Sequence, residues 1–195
     1  MNGLGELADA LKRGDPVIVP TDTVYGVAVM PHVAGAVDRL FELKGRPTSK
    51  PLPVLGGSIE DLEKVVDFDD RGRALADRFW PGPLTLVLPR SSGFTPDLGG
   101  ARDDIGVRIP ASVGTMALLR EVGPLAVTSA NRSGEPPAVT AAEARGALPA
   151  IAHVLDEGPC SGMPSTVATL DPEVRVLREG AVVLGDLTDA LASRP

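Results

Sequence analysis

Short apolar runs alternate with amphipathic helical stretches along almost the whole chain, and no other feature restricts the fold as much. The runs PVIVPT, LTLVLP, DIGVRIP and PLAVTSA have the length and branched-residue content of buried strands, and AHVLDEG adds a strand and turn. Between them, residues 6–14, 33–45, 58–66, 70–80, 112–123, 140–148 and 184–195 carry helical spacing of apolar residues. Gly14 and Gly45 stand where helix C-caps belong, Ser112 is an N-cap, and Ser58 with Asp61 resembles a capping box. PLPVLGG is a strand that Pro51 and Pro53 place at an edge or limit to its start. Late in the chain STVATL and VRVLREG come as an adjacent pair and read as a hairpin. Adjacent strands of that kind favour a mixed sheet over a purely parallel one. The expectation is a single α/β domain over residues 1–195, built as a twisted mixed β-sheet flanked by helices.

Composition then removes whole classes of function. No apolar run approaches the roughly 18 residues of a membrane span, and the polar start of the chain has no signal-peptide core, so a cytoplasmic protein without membrane contact is expected. One cysteine, Cys160, forbids an internal disulfide and a multi-cysteine zinc site, and packing is its expected role. A net charge of −7 and few aromatic residues argue against a general nucleic-acid surface. GLGELA at 3–8 fits a dinucleotide-binding pattern by letter only, because no strand precedes it. Walker A, H-E-x-x-H and G-x-S-x-G sequences do not occur, and His32 and His153 lie far apart.

Polar loops that follow strands carry the remaining signal. KGRPTSK holds two of the four lysines, Lys44 and Lys50, around Arg46, with prolines that stiffen it. A loop of this kind is a solvated turn or a phosphate or carboxylate clamp, in which Arg46 forks onto oxygens and the lysines act as point charges. PTDTVYG offers three hydroxyls and a carboxylate, suited either to capping its own turn or to binding a ligand. VTSANRSGEP places Thr128, Ser129, Asn131 and Ser133 where a strand gives way to a turn. Arg108, in the apolar setting GVRIP, needs an anionic partner, either a structural acid or a ligand carboxylate. PSTV and LREG repeat the theme of one polar residue at a strand end, and the recurrence suggests a shared cleft.

Taken in order, VIVPTDTVYGVAV, RLFELKGRPTSKPLPVL, RFWPGPLTLVLP, IGVRIP, AVTSANRSGEPP, STVATL and VLREGAV resemble the YrdC-like, TsaC-type L-threonylcarbamoyl-AMP synthases. The resemblance covers most of the chain. It implies a YrdC-like fold and an enzyme, a nucleotidyltransferase, that joins L-threonine, bicarbonate and ATP into threonylcarbamoyl-AMP and pyrophosphate. Mg²⁺ with ATP is the implied cofactor, bound mainly through the phosphates with no protein ligand directly assigned. The product would pass to the proteins that transfer the threonylcarbamoyl group to tRNA. Longer relatives carry a second C-terminal domain after a linker, and this chain is expected to end before one.

By the same resemblance, Lys44 and Arg46 are the catalytic pair and hold ATP phosphates, joined by Lys50 at the edge of the loop. Ser129, Asn131 and Arg178 belong to the nucleotide side. Thr21, Arg108 and Ser165 contact threonine, Arg108 through its carboxylate. Both Lys44 and Arg46 are expected to be exposed loop cations whose removal leaves the fold intact. Three residues depart from the family pattern: Pro164 and Asp22 stand where relatives carry glutamate, and Asp104 where some carry threonine. Two other readings use the same cleft, a YciO-type paralogue with another substrate and an RNA-binding module that takes RNA phosphates weakly.

Overall fold

The computed structural model describes residues 3–100 and 103–193. Among the described residues, nine strands form one open mixed sheet. In chain order they are β1 (Val17–Pro20), β2 (Tyr25–Val29), β3 (Val54–Leu55), β4 (Leu84–Pro89), β5 (Asp104–Arg108), β6 (Leu125–Ser129), β7 (His153–Val154), β8 (Thr166–Thr169) and β9 (Arg175–Arg178). Across the sheet the order is β7-β1-β2-β6-β3-β5-β4-β8-β9. The β1–β7, β3–β5 and β4–β8 pairs are parallel and the other pairs antiparallel. The mixed α/β architecture therefore agrees with the alternation in the sequence, and β8 and β9 form the expected antiparallel pair.

The helices are α1 (Leu4–Lys12), α2 (Ala36–Lys44), α3 (Ile59–Leu62), α4 (Asp70–Phe79), α5 (Val113–Val122), α6 (Ala141–Ala147) and α7 (Leu184–Ala192). Helix α1 buries Leu7, Ala8, Ala10 and Leu11 and packs on α5, while α4 packs on α7. Truncating a core residue such as Leu11 to alanine would cost about 2–5 kcal/mol. The expected caps form: the Ser112 hydroxyl accepts from Thr115 N–H, and the Ser58 hydroxyl from Asp61 N–H. No described helix is long and apolar enough to cross a membrane.

Two local readings need correction. The sequence pattern assigns no strand to residues 25–29, yet YGVAV is β2, fully buried and paired on both sides. A strand buried on both faces shows no alternation of apolar and polar residues, so its period is hidden. The other correction concerns β3, which lies in the middle of the sheet between β6 and β5. Its prolines act in the second of the two expected ways: the strand begins only after Pro53 and is two residues long.

Candidate active site

Strand ends and alternate strand residues enclose a cleft of about 610 Å³. On β5, Asp104, Gly106 and Arg108 line it, while the intervening Ile105 and Val107 are buried in the core. Thr85 and Val87 on β4 repeat that spacing, as the two-residue period of a strand requires. Of the residues singled out in the sequence, Thr21, Arg46, Arg108, Thr128, Ser129, Asn131, Ser165 and Arg178 line the cleft. Lys50 is exposed and Lys44 is buried, and neither side chain is part of the lining.

The KGRP loop is shaped by a glycine. Gly45 caps α2 with φ +58°, a left-handed conformation that L side chains resist, and the chain reverses there. The reversal carries Arg46 into the cleft, where Nε donates to the Lys50 carbonyl (3.1 Å) and Nη2 to the Pro51 carbonyl (3.0 Å). Lys44, the last residue of α2, is only 4% exposed, which corrects the expectation of an exposed loop cation. Its ammonium turns to the end of β6 and donates to Thr128 Oγ1 (3.2 Å), Asn131 Oδ1 (3.3 Å), Ser129 Oγ (3.4 Å) and the Ser129 carbonyl. Burial, and secondarily the charge of Arg46, push its pKa from 10.5 down to about 8. Asn131 spends its amide on the carbonyls of Arg132 (2.9 Å) and Glu135 (2.6 Å), which leaves its oxygen to face Lys44.

At the end of β5, Arg108 is 4% exposed and heavily engaged. Nε donates to the Gly82 carbonyl (2.8 Å), Nη1 to Thr23 Oγ1 (3.0 Å) and Nη2 to Asp22 Oδ1 (2.5 Å). The requirement for an anion is thus met by a structural acid, and the residue still lines the cleft. Arg178 donates to the Ser165 carbonyl through Nε (3.2 Å) and Nη2 (2.7 Å), and to Ser165 Oγ (3.0 Å). Ser165 Oγ is in turn 2.9 Å from Thr85 Oγ1. Burial lowers the pKa of Arg46, Arg108 and Arg178, but guanidinium groups keep their proton in proteins. A chain of net charge −7 thereby presents three fixed cations to one cleft, against the carboxylates of Asp104 and Glu135.

The Thr21 hydroxyl behaves as a turn cap. It donates to the Val24 carbonyl (2.6 Å), accepts from the N–H groups of Thr23 (3.2 Å) and Val24 (3.1 Å), and lies 2.9 Å from Thr23 Oγ1. Three cleft features escaped the residue-by-residue reading: Thr23, Thr85 and Glu135. Thr85 had a usable signal, since it is the one polar residue inside the apolar strand LTLVL. Of the three departures from the family pattern, Pro164 and Asp104 line the cleft, Asp104 exposed, and Asp22 reaches Arg108.

Similarity to known proteins agrees with this geometry. Residues 9–180 match the Sua5/YciO/YrdC family, described as telomere recombination. A Mycobacterium tuberculosis protein is 40% identical over 193 residues, covering 97% of this chain and 89% of that one. The threonylcarbamoyl-AMP synthase of Bacillus subtilis is 35% identical over 185 residues, 92% of this chain and 54% of the relative. The crystal structure of Pyrococcus abyssi Sua5 complexed with L-threonine superposes with a TM-score of 0.91 at 35% identity, over 96% of this chain and 57% of that one. The chain thus spans little more than half the length of these last two proteins.

Proposed function

This chain belongs to the Sua5/YciO/YrdC family, and we propose that it is an L-threonylcarbamoyladenylate synthase. One observation carries the reading: a single cleft brings Arg46 of the KGRP loop together with Arg108, Arg178 and Ser165, whose relatives include a threonine-bound Sua5. Several cationic groups in one cleft suit a substrate that carries more than one anionic group.

In the proposed reaction the neutral amine of threonine adds to the carbon of bicarbonate and water leaves, giving N-carboxy-threonine. An oxygen of the carbamate group of that species attacks the α-phosphorus of ATP, and pyrophosphate departs. The carbamate hydrolyses readily, so positioning and exclusion of water matter more than a strong base. Arg108 would receive the amino-acid carboxylate through the N–H groups its protein partners leave over. Arg46 would fork onto phosphate oxygens. Lys44 would place its positive charge behind the corner of Ser129 and Asn131, and Arg178 would hold Ser165 toward the substrate while facing the nucleotide. Lys50, exposed beside this loop, would meet only the outer phosphates.

The cleft lining includes oxygen donors of the class Mg²⁺ takes, namely Ser129, Asp104 and Glu135, and no histidine or cysteine. This fits an ion that would arrive on the triphosphate and be held mainly by its phosphates, with these oxygens available to complete its shell. When bound, Mg²⁺ supplies neutralisation of the charge that gathers on the leaving pyrophosphate. The product would serve the threonylcarbamoyl modification of tRNA.

The test is pyrophosphate release from Mg-ATP with threonine and bicarbonate each supplied or withheld, and serine as control. Release that needs both is expected. Release with another carboxylated amine would redirect the substrate, and no release, with salt-dependent RNA binding instead, would replace the enzyme reading.

A further inference from the structure

Asp22 does not line the cleft, yet it is tied to the most buried cation in it. One oxygen, Oδ1, accepts both from Arg108 Nη2 and from the Ala111 N–H (2.9 Å). The same carboxylate therefore links the turn between β1 and β2 to the end of β5 and to the chain that leaves it. Arg108 is held on three sides, by Gly82, Thr23 and Asp22, and only Asp22 brings a negative charge. Five N–H donors less these three leave two for a ligand. Burial works against the Arg108 charge, Asp22 works for it, and the neighbouring charge of Arg178 works against it again.

From this arrangement we infer that Asp22 is a positioning residue for amino-acid recognition: it aims and neutralises Arg108 from behind, so that the two free N–H groups meet the substrate carboxylate. The inference rests on the proposed role of Arg108 and adds the group through which that role is set. Without the Asp22 charge, Arg108 is an underpaired buried cation beside Arg178, free to turn toward other acceptors. The nucleotide side, built on Arg46 and the corner of Ser129 and Asn131, shares no hydrogen bond with Asp22.

The experiment is calorimetric titration of the full chain with L-threonine and, separately, with Mg-ATP, for wild type, Asp22→Asn, Asp22→Glu, Arg108→Lys and the Asp22→Asn/Arg108→Lys pair. Asp22→Asn should weaken threonine by about tenfold, as for coupled neighbours, while ATP affinity changes less than about twofold. Asp22→Glu, which keeps the charge, should recover part of the loss and serves if Asp22→Asn does not fold. In the Arg108→Lys background Asp22→Asn should add little further. Equal losses for threonine and ATP would reduce Asp22 to a structural residue and overturn the inference. Unchanged or tighter threonine binding in Asp22→Asn would also overturn it, the latter by making Asp22 a competitor for Arg108. Pyrophosphate release by wild type is read alongside. Its absence would sink the proposed reaction, whereas threonine binding that depends on Asp22 would still sustain the inference.

Discussion

The hydroxyls of Thr85 and Ser165 lie 2.9 Å apart although 80 residues separate them in the chain. Parallel pairing of β4 with β8 brings them together, with Leu84 opposite Thr166 and Thr85 opposite Val167. Both are buried, and Ser165 Oγ also accepts from Arg178. Thr85→Val removes one hydroxyl and leaves Ser165 with Arg178 alone. The expected result is a loss of about 1 kcal/mol in unfolding free energy and a several-fold rise in KM for threonine. Urea titration and pyrophosphate-release kinetics check the two parts. A change in KM for ATP alone would contradict the assignment.

Lys44 and Arg46 should separate in stability while agreeing in activity. Lys44→Ala strips the donor from Thr128, the Ser129 carbonyl and Asn131 in a buried corner, so a loss of about 1–3 kcal/mol is expected. Arg46 is half-buried and bonds only to carbonyls of its own loop, so Arg46→Ala should cost less than about 1 kcal/mol. Pyrophosphate release should be abolished in both. Equal stability of the two variants would contradict the buried role of Lys44.

The same lysine predicts a pH dependence. Below about pH 8 Lys44 is charged in the folded protein, and it loses its proton as pH rises through that value. ATP affinity, measured by calorimetry without threonine, should therefore fall as pH climbs past about 8. Stability moves the other way. Between about 8 and 10.5 the unfolded chain holds the Lys44 proton and the folded chain does not, so this group's contribution to stability rises with pH across that window. The difference between wild type and Lys44→Met, followed by urea titration from pH 7 to 10, checks the sign.

Behind the cationic loop, Gly99 has φ +76°, and a Cβ there would stand 2.4 Å from the Thr48 carbonyl oxygen. Gly100 N–H donates to that same carbonyl (2.7 Å), and Leu52 N–H to the Leu98 carbonyl (2.9 Å). Gly99→Ala combines an unfavourable φ with a backbone clash, and both push on the segment that carries Arg46. A stability loss above about 1 kcal/mol is expected, with weaker ATP binding and an unchanged threonine affinity. Full ATP affinity in this variant would show that the buttress does not set the loop.

Much of this protein was legible in one dimension. Alternating apolar runs and helical spacing gave the mixed α/β class, since each period reflects one face turned to a core. Ser58, Ser112 and Gly45 announced their caps because capping depends on neighbours a few residues away. Recurrent polar strand ends pointed to a common cleft, and seven of the nine residues given substrate or nucleotide roles do line it. Tertiary structure alone decided the rest. Arg108 needed an anion by its composition and setting, but only the fold shows Asp22 meeting it from 86 residues away. Lys44 and Arg46 look alike in KGRP, yet the last turn of α2 buries one against β6 while Gly45 turns the other into the cleft. Sequence periodicity records which way a side chain faces along its own element. What it then meets depends on strand order, and strand order is set by long-range pairing that no local pattern encodes.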